Sequence, residues 1–300
     1  MKIALTGATG FVGRYIVRHL AAEGHNLRCW YRPTSDRSGL DSIESAIEWI
    51  EGDLRDRECC RSLVAGCDAV VHAALYHPGG GFQGREGDVL DFLERNFLGI
   101  IELIEIARRA KVGRFVFILT CAVHDEILDD RPLDETHPLW PRSHYGAHKA
   151  ALEAFVHSYG LGHGYPICAL RPTGVYGVAK PTEESKWYDL IAAVTRGETV
   201  ACRRGGKEVH AADVAKAAGI LLTAEGIAGQ AFNCYDRYVS QYDVAMLARK
   251  FSGSRSEIQG AQTQPKHQIE TGKIRALGMK FGGDRLLEET VSELVRTIHG

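Results

Sequence analysis

Tyr145 and Lys149 stand four positions apart in "SHYGAHKAALEAF" (143–155), at the head of what reads as a helix. Four positions make one helical turn, so the phenol and the ammonium share a face. A tyrosine left alone titrates near pH ~10. A cation one turn along lowers that value and makes the phenol useful as an acid or base near neutrality. The same spacing also occurs on solvated helices, so the rest of the chain decides whether the pair does chemistry.

A second chemical signal lies at the N-terminus. "TGATGFVG" (6–13) places Gly7, Gly10 and Gly13 three apart, with Thr9, Phe11 and Val12 between them, after a strand and before a helix. Glycine permits a tight turn, removes side chains where backbone must touch a pyrophosphate, and lets helix pack on strand. The helix N-terminus then offers unpaired N–H groups and a positive dipole end to phosphates. In this context the trio predicts a dinucleotide-binding turn.

The elements needed to position these groups follow in order. Short apolar runs at 2–6, 27–31, 46–52, 68–74, 114–120 and 165–170 alternate with helical patterns, the longest about 89–110. Continuous apolar strands separated by amphipathic helices imply a parallel sheet covered on both faces, and right-handed crossovers imply a doubly wound order. The expected fold is therefore α/β: a Rossmann domain with a smaller, mostly helical C-terminal substrate-binding region. The Rossmann part is expected at 1–171 with a returning segment about 207–236 that holds a strand at 231–235; the smaller region is expected at 172–206 and 237–300.

Bulk properties narrow the class. With 300 residues, the chain can bury roughly 75% of its unfolded surface without staples. A formal charge of −2, with no long run of one sign, argues against nucleic-acid and membrane-surface partners. Eight cysteines are scattered without a C-x-x-C, and no His/Cys cluster has zinc spacing, so no metal is expected and reduced thiols in the cytoplasm are. The start "MKIALTG" is already a strand and leaves no room for a signal peptide, and no apolar run approaches bilayer length.

Taken together, "TGATGFVG", "EGDLRD", "VVHAAL", "RNFLGIIELIEIA", "YGAHK" and "RPTGVYG" resemble the extended short-chain dehydrogenase/reductases, the NAD(P)-dependent epimerase/dehydratase group. The resemblance spans nearly the whole chain. It implies that Tyr145 is the general acid/base and that Lys149 binds the nicotinamide ribose while lowering the tyrosine pKa. It implies that Thr120 stands where the family usually carries serine and holds the substrate oxygen. Asp53 and Leu54 would touch adenine, although Asp53 could equally cap a helix. Ala73 and Ala74 would lie beside the cofactor, as would Asn96, which could instead be a buried strut. Pro172, Thr173 and Val175 would face the nicotinamide carboxamide. The implied reaction passes a hydride between nicotinamide and a secondary alcohol or ketone, with a sugar-like compound as the expected substrate class. Alternatives are a nucleotide-sugar epimerase with retained cofactor and a non-catalytic NAD(P)-sensing protein.

Departures from the family pattern sharpen this. Tyr31 ends the second strand where NAD-preferring members carry an acid, and Arg32 follows it. An arginine suits a 2′-phosphate, so NADP is expected over NAD, although Arg32 could be merely solvated. Cys121 and Ala122 follow Thr120, so the acidic residue of a dehydratase is missing. Gly206 occupies the place of the arginine that grips a nucleotide-sugar diphosphate, with Arg203, Arg204 and Lys207 nearby. The glycine-rich stretch 76–88 supplies His77, Phe82 and Arg85 as candidate substrate contacts, and Cys121 is a further one. The helices about 89–110 and 144–159 would pair two copies into a four-helix bundle, giving a homodimer.

Overall fold

In the computed structural model of the chain, residues 1–78 and 86–300 are described. The chain runs β1 (Lys2–Thr6), α1 (Phe11–Ala22), β2 (Asn26–Tyr31), β3 (Ile47–Glu51), α2 (Arg57–Val64), β4 (Ala69–His72), α3 (Val89–Leu93), α4 (Gly99–Arg109), β5 (Arg114–Ile118), α5 (His144–His157) and β6 (Ile167–Pro172). It continues through β7 (Gly174–Tyr176), α6 (Tyr188–Thr195), β8 (Val200–Cys202), β9 (Gly205–His210), α7 (Ala211–Thr223), β10 (Gln230–Cys234), β11 (Arg237–Ser240), α8 (Gln241–Ser252), β12 (Ile258–Gly260), α9 (Gly272–Ala276) and α10 (Gly283–His299).

Seven strands form one sheet in the order β10-β6-β5-β4-β1-β2-β3, parallel throughout. The order reverses between β1 and β4, the switch point where ligands bind open α/β sheets. Val70, Phe115 and Phe117 on the strands meet Ile100, Leu103, Ile104, Leu152 and Val156 on α4 and α5 in one fully buried cluster. Stripping that much apolar surface from water is the main stabilising term for this layer. The helix expected about 89–110 is interrupted by a π-helical segment, Glu94–Leu98. The strand expected at 165–170 lies two residues later, at Ile167–Pro172.

Two compact units emerge: residues 1–172, 214–234 and 270–279 in the first, and 173–213, 235–269 and 280–300 in the second. The boundaries shift by a residue or two at 172 and 235–236, and by whole segments at 207–213 and 270–279. Residues 207–213 fall in the second unit because β9 pairs with β7 and β11, in a three-stranded sheet of its own. Residues 270–279 fall in the first, where Lys273 Nζ donates to the Ala231 carbonyl at 2.9 Å and Asn233 donates to that of Glu270 at 3.2 Å. In the second unit Ile191, Val194, Val244, Ala248, Val291 and Leu294 form the core between α6, α8 and α10. Its strands are three to six residues long, too short to show a period in sequence. No described helix is long and apolar enough to cross a membrane.

Candidate active site

The glycine turn leaves β1 at the switch point. Gly7 has φ +76°, and a Cβ there would lie 2.7 Å from the Ala73 carbonyl carbon and the Ala74 nitrogen. A Cβ on Gly13 would lie 1.9 Å from the Gly7 oxygen. Both glycines are thus demanded by the chain's own packing, with Ala73 and Ala74 supplying the backbone that Gly7 approaches. Gly10 differs: a Cβ there would meet only the Gly7 oxygen, at 3.3 Å, and the residue is exposed. Gly10 heads α1, and no side chain caps that helix. The uncapped helix start and the bare Gly10 fit a phosphate-bearing group. Thr9, Phe11 and Val12 are half-buried around it.

Beyond β2, Arg32 is exposed, and its guanidinium has no partner among the described residues. Arg37, which sequence reasoning missed, lies with its guanidinium carbon 4.5 Å from the Tyr31 ring centre and 5.6 Å from that of Trp49. Asp53 accepts the Arg55 N–H at 3.2 Å and so holds a turn; the cap of α2 is Asp56. Leu54 is buried.

The groups expected to react lie beyond the carboxyl end of β5. Thr120 accepts the Ala122 N–H at 3.1 Å, and its side chain lies close enough to the Tyr145 phenol to pull that group's pKa down. Ser143 caps α5 by accepting the Gly146 N–H at 3.0 Å. A Cβ on Gly146 would lie 2.6 Å from the Ala122 oxygen, so glycine after the tyrosine is what lets α5 approach the turn carrying Thr120. The buried Glu86 carboxylate accepts the Tyr145 N–H at 3.1 Å.

Electrostatically the pair departs from expectation. Burial raises the Tyr145 pKa above its ordinary 10, with the Thr120 side chain pulling the other way. Lys149 is itself buried: its Nζ donates to the Ile118 carbonyl at 3.2 Å and lies 4.9 Å from the Phe117 ring centre. Burial pulls the ammonium down to about 7. Its charge is felt by His72 and His148, whose pKa values burial and Lys149 together depress to about 3. Lys149 is not among the groups that shift Tyr145, so the expected lowering by its charge is not found here; desolvation decides the direction.

Two expected contacts have other uses. The Asn96 amide accepts the Tyr76 N–H at 2.7 Å and donates to the Tyr76 and Phe92 carbonyls at 2.9 and 3.1 Å. It is a buried strut holding the segment after β4, the alternative the sequence also allowed. The Cys121 thiol donates to the Arg171 carbonyl at 3.0 Å and is pushed up to about 12 by burial, so it is a neutral, engaged thiol. His77 is half-buried. Phe82 and Arg85 lie outside the described residues. Pro172 ends β6; Thr173 and Val175 belong to the second unit, and the buried Thr173 hydroxyl has no partner among the described residues. His72, unremarked in the sequence, is fully buried with its Nδ1 2.7 Å from the Thr6 hydroxyl.

A model described as the NAD dependent epimerase/dehydratase family matches residues 3–234. The chain belongs to this family. Among its curated relatives, the low-salt glycan biosynthesis protein Agl12 of Haloferax volcanii is 28% identical over 294 residues, covering 93% of each chain. The 4-hydroxy-2-methyl-3-oxo-4-farnesyl-3,4-dihydroquinoline-1-oxide ketoreductase of Stigmatella aurantiaca is 30% identical over 236 residues, 70% of this chain and 67% of that one. In three dimensions, the UDP-glucose 4-epimerase of Thermus thermophilus, solved in complex with NAD, superposes with a TM-score of 0.79 at 25% identity, covering 100% of this chain and 99% of that one.

Proposed function

We propose that this family member is an NADP(H)-dependent oxidoreductase acting on a secondary alcohol or ketone of a sugar-like substrate. The observation that carries the reading is the buried Tyr145 phenol near Thr120 beyond β5, with Lys149 buried one turn along α5 and donating to the Ile118 carbonyl. The glycine turn would hold the cofactor diphosphate and Lys149 the nicotinamide ribose. Arg32 would meet a 2′-phosphate. Bound nicotinamide supplies or accepts the hydride. Tyr145, kept protonated at neutral pH by burial, donates its proton to the substrate oxygen in the reducing direction, while Thr120 holds that oxygen.

An epimerase reading is favoured by the likeness to the Thermus enzyme, and Gly206 in place of a diphosphate-gripping arginine speaks against it. Steady NADPH consumption with a carbonyl substrate is expected; stereochemical inversion without net cofactor change would overturn the reductase reading. Arg32→Glu should move preference from NADPH toward NADH, and an unchanged ratio would remove Arg32 from the 2′-phosphate site. The chain would pair with a second copy through the helical stretch 89–109 and α5, where Leu98 and Phe155 are exposed and Phe97 packs on Phe155 at 5.6 Å. Sedimentation of Phe155→Glu as a monomer, against a dimeric parent, checks this.

A further inference from the structure

Arg14 is the least expected side chain of α1. It is 4% exposed, although it sits among the apolar residues of a helix packed on the sheet. Its Nε donates to the Thr9 carbonyl at 3.0 Å, within the glycine turn. Its Nη1 donates to the Ser38 carbonyl at 2.6 Å and its Nη2 to that of Asp36 at 2.5 Å, with the Asp36 carboxylate 3.4 Å away. The two carbonyls from the later loop bracket Arg37. One turn on, Arg18 donates to the Gly39 carbonyl at 3.0 Å, so α1 fastens this loop twice. Tyr31 and Trp49 meanwhile hold the Arg37 guanidinium between 4.5 and 5.6 Å from their ring centres.

A guanidinium is suited to this because its planar fork offers five donors in fixed directions, enough to serve two loops at once. A lysine in its place could reach one loop only. We propose that Arg14 is a positioning residue for cofactor selection: it locks the glycine turn to the 36–38 segment and thereby presents Arg37 beside Arg32 as a two-cation seat for a 2′-phosphate. This rests on the reading of the Arg32 region as the adenosine-phosphate site. Arg14 itself touches no ligand; it fixes the backbone from which Arg37 projects, and the seat forms only when both loops are held.

The experiment is a double-variant cycle on the full chain, reading NADPH and NADH dissociation constants by fluorescence titration. Arg37→Ala should weaken NADPH about tenfold in the parent, the size of one charge-assisted hydrogen bond, and leave NADH within about twofold. In an Arg14→Gln background the same change should cost less than about twofold, because the seat is already lost. An equal cost in both backgrounds overturns the role given to Arg14 while leaving the NADP reading intact. No effect of Arg37→Ala in the parent overturns the seat and the inference together, and equal parental affinity for both cofactors overturns the NADP reading. Should Arg14→Gln fail to fold, Arg14→Lys supplies the same comparison with one loop still held.

Discussion

Replacing Lys149 by methionine should stabilise the cofactor-free protein while abolishing turnover. Burial carries this ammonium from 10.5 to about 7. In the unfolded chain it keeps its proton up to pH ~10.4. Below pH 7 both states are protonated and the folded state bears the whole cost of burying the charge. Between 7 and 10.5 the unfolded chain holds a proton that the folded chain has shed, so this contribution to stability rises with pH. The gap between the two values corresponds to about 5 kcal/mol of destabilisation at pH 6 and about 1–2 kcal/mol at pH 9.5. Methionine removes that cost but orphans the Ile118 carbonyl, a loss of about 1–3 kcal/mol. The net gain should be about 2–4 kcal/mol at pH 6 and close to zero at pH 9.5. Urea unfolding of parent and variant at the two pH values reads it directly. A variant no more stable than the parent at pH 6, or a gain that does not shrink by pH 9.5, would refute the buried, depressed ammonium.

Tyr145→Phe should lower kcat by about 10²–10⁴-fold with NADPH affinity little changed; stopped-flow turnover and fluorescence titration separate the two, and weak binding with intact turnover would contradict the assignment. Glu153 and Arg171 form a fully buried bidentate pair, so Glu153→Ala strands the guanidinium and should cost about 3–5 kcal/mol in denaturant unfolding. A cost under about 1 kcal/mol would mean the charge is relieved elsewhere. Burial depresses His72 and His148 to about 3, and His124 and His210 to about 4, so all four stay neutral in the folded protein at pH 5 while the unfolded chain protonates them. Stability should therefore fall as pH drops from 6.5 to 4, with uptake of about four protons on unfolding near pH 5. An uptake below one proton, from the pH dependence of the unfolding midpoint, would overturn this.

Much of the first unit was legible along the chain. Strands covered on both faces read as unbroken apolar runs, as in "KIALT" and "RFVFI", and each carries its own signal locally. Gly7 and Gly13 were legible as a motif, but the reason for them was not: Gly13 answers to Gly7 and Gly7 to Ala73, contacts made across the sheet. Asn96 shows the same limit. Its segment suggested a cofactor contact or a buried strut, and only the fold brings its amide onto the Tyr76 backbone. The part played by Arg14 had no signal along the chain, because helical periodicity says which face a residue shares and nothing about which carbonyls wait there.

The order of chemical types along the chain by itself determined the parallel sheet, the glycine turn and the pairing of Tyr145 with Lys149 on α5. These depend on neighbours within one or two turns, where spacing is geometry. Only the tertiary structure decided the protonation of that pair and the anchoring of the loop that carries Arg37. Desolvation depends on every atom that packs around a group, and a buried guanidinium takes partners from segments far apart in sequence.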